Sequence, residues 1–443
     1  MRYCATMKLL ALVVLLSVGI ACQAEYQKFE NYKLYTLYVE DDEQAEELHD
    51  WYSNGNLDFW SYGSINDSVT VMVNPQLQSY FEEMLDEVQL ESELIEENVQ
   101  SLLEHEQEQR NLNLLGKRRR PQKPQKPDSL ENVEEDMVDF RHFWTLDEIY
   151  HYINRLEKNF PNLVRVMTIG QTFENRSILA VTISKDGRVN QTRPVVLVDA
   201  GIHAREWATH MSAVYLLHQL VEKADSNEEM LENTDWIIVP VANPDGYVYS
   251  YETNRLWRKN RFAENVLCTG TDVNRNFPLR WSYTSHSCTE GFAGNTPGSE
   301  KETQGLMLLM AQYQRSIKMY LSLHSCGEFI LYPYGYAYKQ APNMEALHAL
   351  GLEAAEAVKK IGGAEYEVGQ ASGMLYLATG SDDFIYGAYG VEYAYTLELS
   401  CGNRGYGFII DTNQIETIAS ETFEMMKVFG AHAGTQKILL KRP

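Results

Sequence analysis

Beyond Phe140, short apolar runs rich in β-formers alternate with helical patterns, at residues 195–198, 208–221, 236–241, 319–323, 344–360, 393–399 and 415–428. Strands apolar on consecutive positions have both faces covered, and strands separated by helices pair in parallel through crossovers. The alternation predicts an α/β domain around a mixed, largely parallel sheet flanked by helices. In such sheets functional groups gather in loops beyond the carboxyl ends of the strands, and three of these runs end beside a His or a Glu.

Upstream, a strand at 32–39, a helix at 43–52, a strand at 69–73 and a helix at 77–85 suggest a separate small α+β unit. Two units suit 443 residues, more than one core usually organises. Between them lie an acidic Gln-rich stretch, the run Lys117-Arg-Arg-Arg120 and a Pro/Lys/Gln segment at 121–127, whose composition buries no core and predicts an extended linker. The expected division is 1–24, 25–110, 111–136 and 137–443. A tetrabasic run in an exposed linker is a target for trypsin-like proteases. Pro121 obstructs cleavage directly after Arg120, so a cut after Arg118 or Arg119 is expected.

The first 24 residues read as a signal peptide: Arg2 and Lys8, the apolar run 9–20, then small residues ending at Ala24. That run is too short for a bilayer core of about 30 Å. A secreted, extracellular chain is expected, keeping four of its six cysteines, Cys268, Cys288, Cys326 and Cys401, with two disulfides. Asn66, Asn175 and Asn190 begin glycosylation sequons. A net charge of -24 argues against nucleic acid or an anionic membrane as partner.

After the run at 195–199 comes Gly201-Ile-His203-Ala-Arg-Glu206-Trp, and after the run ending at Leu323 comes His324. Two imidazoles and a carboxylate leave zinc one open position, the hydrolytic arrangement in which the metal lowers the pKa of a water to about 7. His210, four residues after Glu206, offers a competing pairing but should lie inside the following helix.

With these residues in place the chain resembles, over nearly its whole length after the signal peptide, the zinc carboxypeptidase family typified by the pancreatic carboxypeptidases A and B. The segments that carry the resemblance occur in order: Gly201-Ile-His-Ala-Arg-Glu-Trp, Asn243-Pro-Asp-Gly-Tyr, Asn254-Arg-Leu-Trp-Arg-Lys-Asn, Asp272-Val-Asn-Arg-Asn, Leu323-His324-Ser, Leu331-Tyr-Pro-Tyr-Gly-Tyr and Thr396-Leu-Glu-Leu. The first unit is similar to the family's inhibitory activation segment, a small ferredoxin-like domain. The resemblance implies one Zn2+ per chain held by His203, Glu206 and His324, with Asp272 orienting His203. It implies Glu398 as the carboxylate that takes a proton from the attacking water, and Arg258 as support for the developing oxyanion. Asn274 and Arg275 would grip the substrate's terminal carboxylate, Tyr376 would close over it, and Arg205 and Arg255 would line outer subsites. The expected partners are peptide substrates and an activating trypsin-like protease, and the expected state is a monomer.

The chain departs from the family pattern in two places. Cys326 follows His324-Ser325 where the family has Tyr, and Ser400-Cys401 follows Glu398-Leu399 where it has Arg-Asp. Cys268–Cys288 resembles the family's loop disulfide. Cys326 and Cys401 either pair at the sheet rim or stand as free thiols near the metal. The loop after Tyr376 is one residue shorter than usual, and anchoring on Ser381 puts Asp382 at the base of the specificity pocket, where an acid selects C-terminal Lys or Arg. If the deletion turns Asp382 to solvent, aliphatic or aromatic residues are expected instead. An inactive peptide-binding relative and a secreted zinc hydrolase acting on non-peptides are the competing functions.

Overall fold

The computed structural model describes residues 26–55, 57–61, 68–119, 138–189, 192–263, 268–282, 286–402 and 406–438. The expected signal peptide, Arg120, Asn66 and Asn190 lie outside the described residues.

The first unit contains β1 (Lys33–Tyr38), α1 (Asp42–Asn54), β2 (Asp58–Phe59), β3 (Ser68–Val73), α2 (Gln78–Glu87), β4 (Glu91–Glu96) and α3 (Val99–Arg119). Its strands form an antiparallel sheet in the order β2-β3-β1-β4. Asp41 caps α1 by accepting from the Gln44 amide, and Gly55 ends it at φ 68, in the left-handed region that suits glycine. Trp51 of α1 and Phe81 of α2 pack on alternate residues of β1 and β3, including Tyr35, Leu37, Val69 and Val71.

The linker expectation needs one correction: the backbone is helical as far as Arg119, not extended. Val99, Leu102, Leu103, Glu106 and Arg110 recur at helical spacing and are all buried. Charged groups occupy two of these five positions, which hides the periodicity, while Gln, Glu, Leu and Arg carry strong helix propensity.

The second unit contains α4 (Leu146–Asn159), β5 (Val164–Gln171), β6 (Ser177–Ile183), β7 (Val195–Ala200), α5 (Trp207–Val221), β8 (Asp235–Val239), α6 (Pro244–Glu252), α7 (Lys301–Tyr313), β9 (Ile317–Ser325), β10 (Phe329–Tyr332), α8 (Met344–Lys360), β11 (Glu367–Gln370), α9 (Ser381–Tyr389), β12 (Ala394–Leu399) and α10 (Ile415–Thr435). The strand order is β11-β10-β12-β9-β7-β8-β6-β5. The central β12, β9, β7 and β8 are parallel, and antiparallel pairings bring in β10 on one side and β6 and β5 on the other. The sheet is mixed and parallel at its centre, as its strand composition predicts.

Alternate residues of the central strands serve two cores. Val196, Val198, Leu321 and Leu323 face one layer with α4, α5, α8 and α10, while Val195, Leu197 and Tyr320 face the other with α7 and α9. This two-sided burial fixes the carboxyl ends of β7, β9 and β12 side by side.

Candidate active site

β7 ends at Ala200, and the chain turns through Gly201 at φ 66. A Cβ there would lie 1.8 Å from the His210 ring, so only glycine permits this turn. The turn delivers His203 to the sheet rim and leaves Glu206 at the N-cap of α5. His324 lies in β9, directly opposite Glu398 of β12 in the parallel register.

His203 Nδ1 lies 2.7 Å from Glu206 Oε1 and 3.1 Å from His324 Nδ1, while His324 Nδ1 lies 3.2 Å from Glu206 Oε2. Three donors on a tetrahedral zinc, each about 2.0–2.1 Å from the metal, stand about 3.3 Å apart, so the spacing fits. The outer nitrogens explain the ring orientations. His203 Nε2 faces Asp272 Oδ1 at 3.1 Å. His324 Nε2 faces Ser322 Oγ at 3.2 Å, and that hydroxyl donates to Asp199 Oδ1 at 3.0 Å. With the outer nitrogens protonated, both Nδ1 lone pairs point at the common centre. Burial works against charge on Glu206, but the two imidazoles, when protonated, override it and hold its carboxyl low. His210 stays apart: its ring is fully buried against Tyr247 and bonded to Pro240 O.

Arg258 donates to Asp272 Oδ2 through Nη2 at 2.9 Å and Nε at 3.2 Å, so Asp272 braces both His203 and this guanidinium. Asp272 also accepts from the Asn274 amide at 2.9 Å, shaping the turn Val273–Arg275. Asn274 Oδ1 accepts from the Ser381 amide at 2.9 Å, and Arg275 Nη2 donates to the Tyr376 hydroxyl at 2.6 Å. Asn274, Arg275, Tyr376, Arg258, Glu398 and Asp382 line one cavity of about 80 Å³ with the triad. Burial pushes the Glu398 carboxyl up to about 7.

Asp382 is 5% exposed in the first turn of α9, so the shortened loop does not turn it to solvent. Burial raises its carboxyl. Its neighbour Asp383 accepts from the Gly335 and Tyr336 amides at 3.1 Å, and burial with the Asp382 charge pushes it up to about 8. Both disulfides are formed, Cys268–Cys288 and Cys326–Cys401, and the free-thiol alternative falls away.

The cavity does not take in Arg205 or Arg255. Arg205 Nη1 donates to Asp58 at 2.8 and 3.0 Å and Nη2 to Phe59 O at 3.1 Å. Arg255 donates to Glu106 at 2.6 and 3.0 Å. Tyr376 donates to Tyr52 at 2.9 Å, and Trp60 closes one wall of the cavity against Phe408. These residues of the first unit were missed by sequence reasoning. Asp58 and Glu106 are two acids among 62, and no local pattern marks them.

Comparisons with known proteins find matches to both units. Residues 149–425 match the profile described as zinc carboxypeptidase, and residues 35–106 match that of the carboxypeptidase activation peptide. Zinc carboxypeptidase A 1 of Anopheles gambiae is 29% identical over 423 residues, covering 94% of this chain and 92% of that protein. Carboxypeptidase B of Bos taurus is 30% identical over 433 residues, covering 95% and 97% respectively. The crystal structure of the carboxypeptidase A from Helicoverpa armigera superposes with a TM-score of 0.84 at 31% identity, covering 92% of this chain and 98% of that one.

Proposed function

The chain belongs to the zinc carboxypeptidase family and is a metallocarboxypeptidase zymogen with its own activation peptide; from that premise we propose that it releases C-terminal Lys or Arg from peptides. The observation that carries the specificity is Asp382, a buried carboxylate lining the cavity that also holds Asn274, Arg275 and the metal-competent triad. A buried carboxylate without a cationic partner costs several kcal/mol or stays protonated, so a basic side chain is its natural complement. Aliphatic or aromatic side chains would leave that acid desolvated and unpaired.

His203, Glu206 and His324 would hold the zinc. When bound, zinc polarises the scissile carbonyl and makes the attacking water more acidic. Glu398, partly buried beside the triad, takes the proton from that water and passes it to the departing amine. Arg258, braced on Asp272, presents positive charge to the oxygen that becomes anionic. Asn274 and Arg275 grip the terminal carboxylate by an amide donor and a guanidinium fork, which is what restricts the enzyme to chain ends. Tyr376, already in contact with Arg275, closes over the bound residue. Arg205 and Arg255 become available to the outer part of a peptide once Asp58 and Glu106 withdraw.

Secretion, cleavage by a trypsin-like protease at residues 117–119 and action as a monomer complete the proposal. Among the described residues no helix is long and apolar enough to cross a membrane. An inactive peptide-binding role has no observation in its favour, since the full set of base, guanidinium and triad converges on one cavity. A hydrolase of non-peptides would have no use for the Asn274 and Arg275 clamp.

The test is kcat/KM of the trypsin-treated protein for matched blocked dipeptides ending in Arg and in Phe, with Asp382→Ile alongside. Wild type should prefer Arg, and the substitution should reverse the preference. A wild type that prefers Phe, unaffected by the substitution, would remove Asp382 from substrate recognition.

A further inference from the structure

We propose that the Cys326–Cys401 disulfide positions the catalytic machinery, holding the strand that carries the metal ligand His324 against the strand that carries the base Glu398. This rests on the roles proposed above for those two residues.

β9 and β12 pair in parallel with His324 opposite Glu398, and the last paired residues are Ser325 and Leu399. Beyond that point the two chains part. β9 turns back through Gly327 and Glu328 into β10, which pairs with the other side of β12 and sets Phe329 opposite Glu398. β12 ends at Leu399, and Phe408, nine residues later, is a wall of the cavity. The disulfide sits at this fork, with Cys326 two residues beyond His324 and Cys401 three beyond Glu398.

Among the described residues, two hydrogen bonds also cross the fork. The Gly327 amide donates to Leu399 O at 3.1 Å, and the Ser400 hydroxyl donates to Glu328 Oε1 at 2.9 Å. The end of β9 also supports the third ligand, because the Ser325 amide donates to Glu206 Oε2 at 3.3 Å. A shift of this corner would therefore move His324, Glu206 and Glu398 against one another. Cys326 is itself 5% exposed and lines the catalytic cavity beside His324 and Glu398. Cys268–Cys288 does not line that cavity.

Closing a loop of 75 residues stabilises the fold whatever the bond does for catalysis, so a lower melting temperature is not diagnostic. The diagnostic readout is turnover at unchanged metal content. The full-length protein is prepared with zinc, activated with trypsin and assayed well below its melting temperature, as wild type, as Cys326→Ala/Cys401→Ala and as Cys268→Ala/Cys288→Ala. A misplacement of about 1 Å costs about a hundredfold in rate. The first variant should keep one zinc per chain and a KM within about twofold, and should lose about ten- to a hundredfold in kcat. The second should lose thermal stability and keep kcat.

Cys326→Val/Cys401→Val, which refills the space of the sulfurs without the covalent link, should repeat the loss. The inference is overturned if Cys326→Ala/Cys401→Ala keeps its kcat, if it loses zinc in proportion to activity, or if the Val pair restores turnover. It is also overturned if neither variant yields folded, zinc-loaded protein, since the bond would then serve the fold. An activated wild type that releases no free amino acid overturns the proposed function itself, whereas an active wild type with an unchanged variant overturns only the positioning role.

Discussion

Replacing Glu106 with Ala in the intact precursor probes how the activation unit is held. The Glu106 and Arg255 side chains are 4% and 0% exposed, and the carboxylate receives two guanidinium hydrogen bonds. Removing one partner of a buried ion pair costs about 3–5 kcal/mol, because the other charge stays buried. Arg255 would keep Arg205 O at 2.8 Å, Phe408 O at 2.7 Å and the Trp207 face at 3.7 Å, so the lower end, about 3 kcal/mol, applies. At about 1.4 kcal/mol per tenfold, the ratio of covered to uncovered molecules should fall by about a hundredfold. The assay is hydrolysis of a small blocked substrate by uncleaved precursor, as a fraction of the rate after trypsin, with retention of the cut segment followed by gel filtration. Glu106→Ala should raise the residual rate and release the segment sooner, and Glu106→Gln, which keeps an acceptor, should fall between. A residual rate and a retention equal to those of wild type would show that this ion pair does not hold the unit in place.

Three further outcomes are expected. His203→Ala or His324→Ala should abolish both bound zinc and activity, since two remaining ligands hold the metal far less well; metal analysis showing full zinc, or activity without it, refutes the ligand assignment. Glu398→Gln should keep zinc and lower turnover by at least about a hundredfold, and near-normal turnover would take Glu398 out of the mechanism. Burial pushes Glu398 up from 4.5 to about 7, and a general base works only when ionised. kcat/KM should therefore fall as pH drops through an acid limb, set between those values because the charge of bound zinc lowers a nearby carboxyl; a flat profile from pH 4 to 8 would contradict this.

How far the sequence could be read depended on the distance over which each residue acts. β7 and β8 are buried on both faces, and that shows directly as apolar runs. β10 is an apolar run of only four residues, and β11, four residues at the sheet edge reading Glu-Val-Gly-Gln, leaves no such trace. The triad, Asp272 and Glu398 were legible because each falls in or beside a strand end or inside a distinctive local segment. Asp382 was legible as a candidate only, since its burial depends on how a shortened loop enters α9. The helix α3 was misread because charged residues interrupt the face it buries, and its acid Glu106 finds its partner 149 positions away; Asp58 reaches Arg205 across 147. Partners so distant have no local signature. On the roles proposed for Arg205, Arg255 and Tyr376, their pairing gives the first unit a way to silence the enzyme. Arg205 and Arg255, which the family pattern assigns to a peptide's outer residues, are both taken by acids of the activation unit, and Tyr376 is held by Tyr52. On the roles proposed for those residues, the unit occupies contacts a substrate would use, and among its described residues Trp60 alone joins the cavity wall. A blockade built on borrowed contacts would leave the catalytic groups assembled beneath it, so that loss of the covering unit alone would expose them.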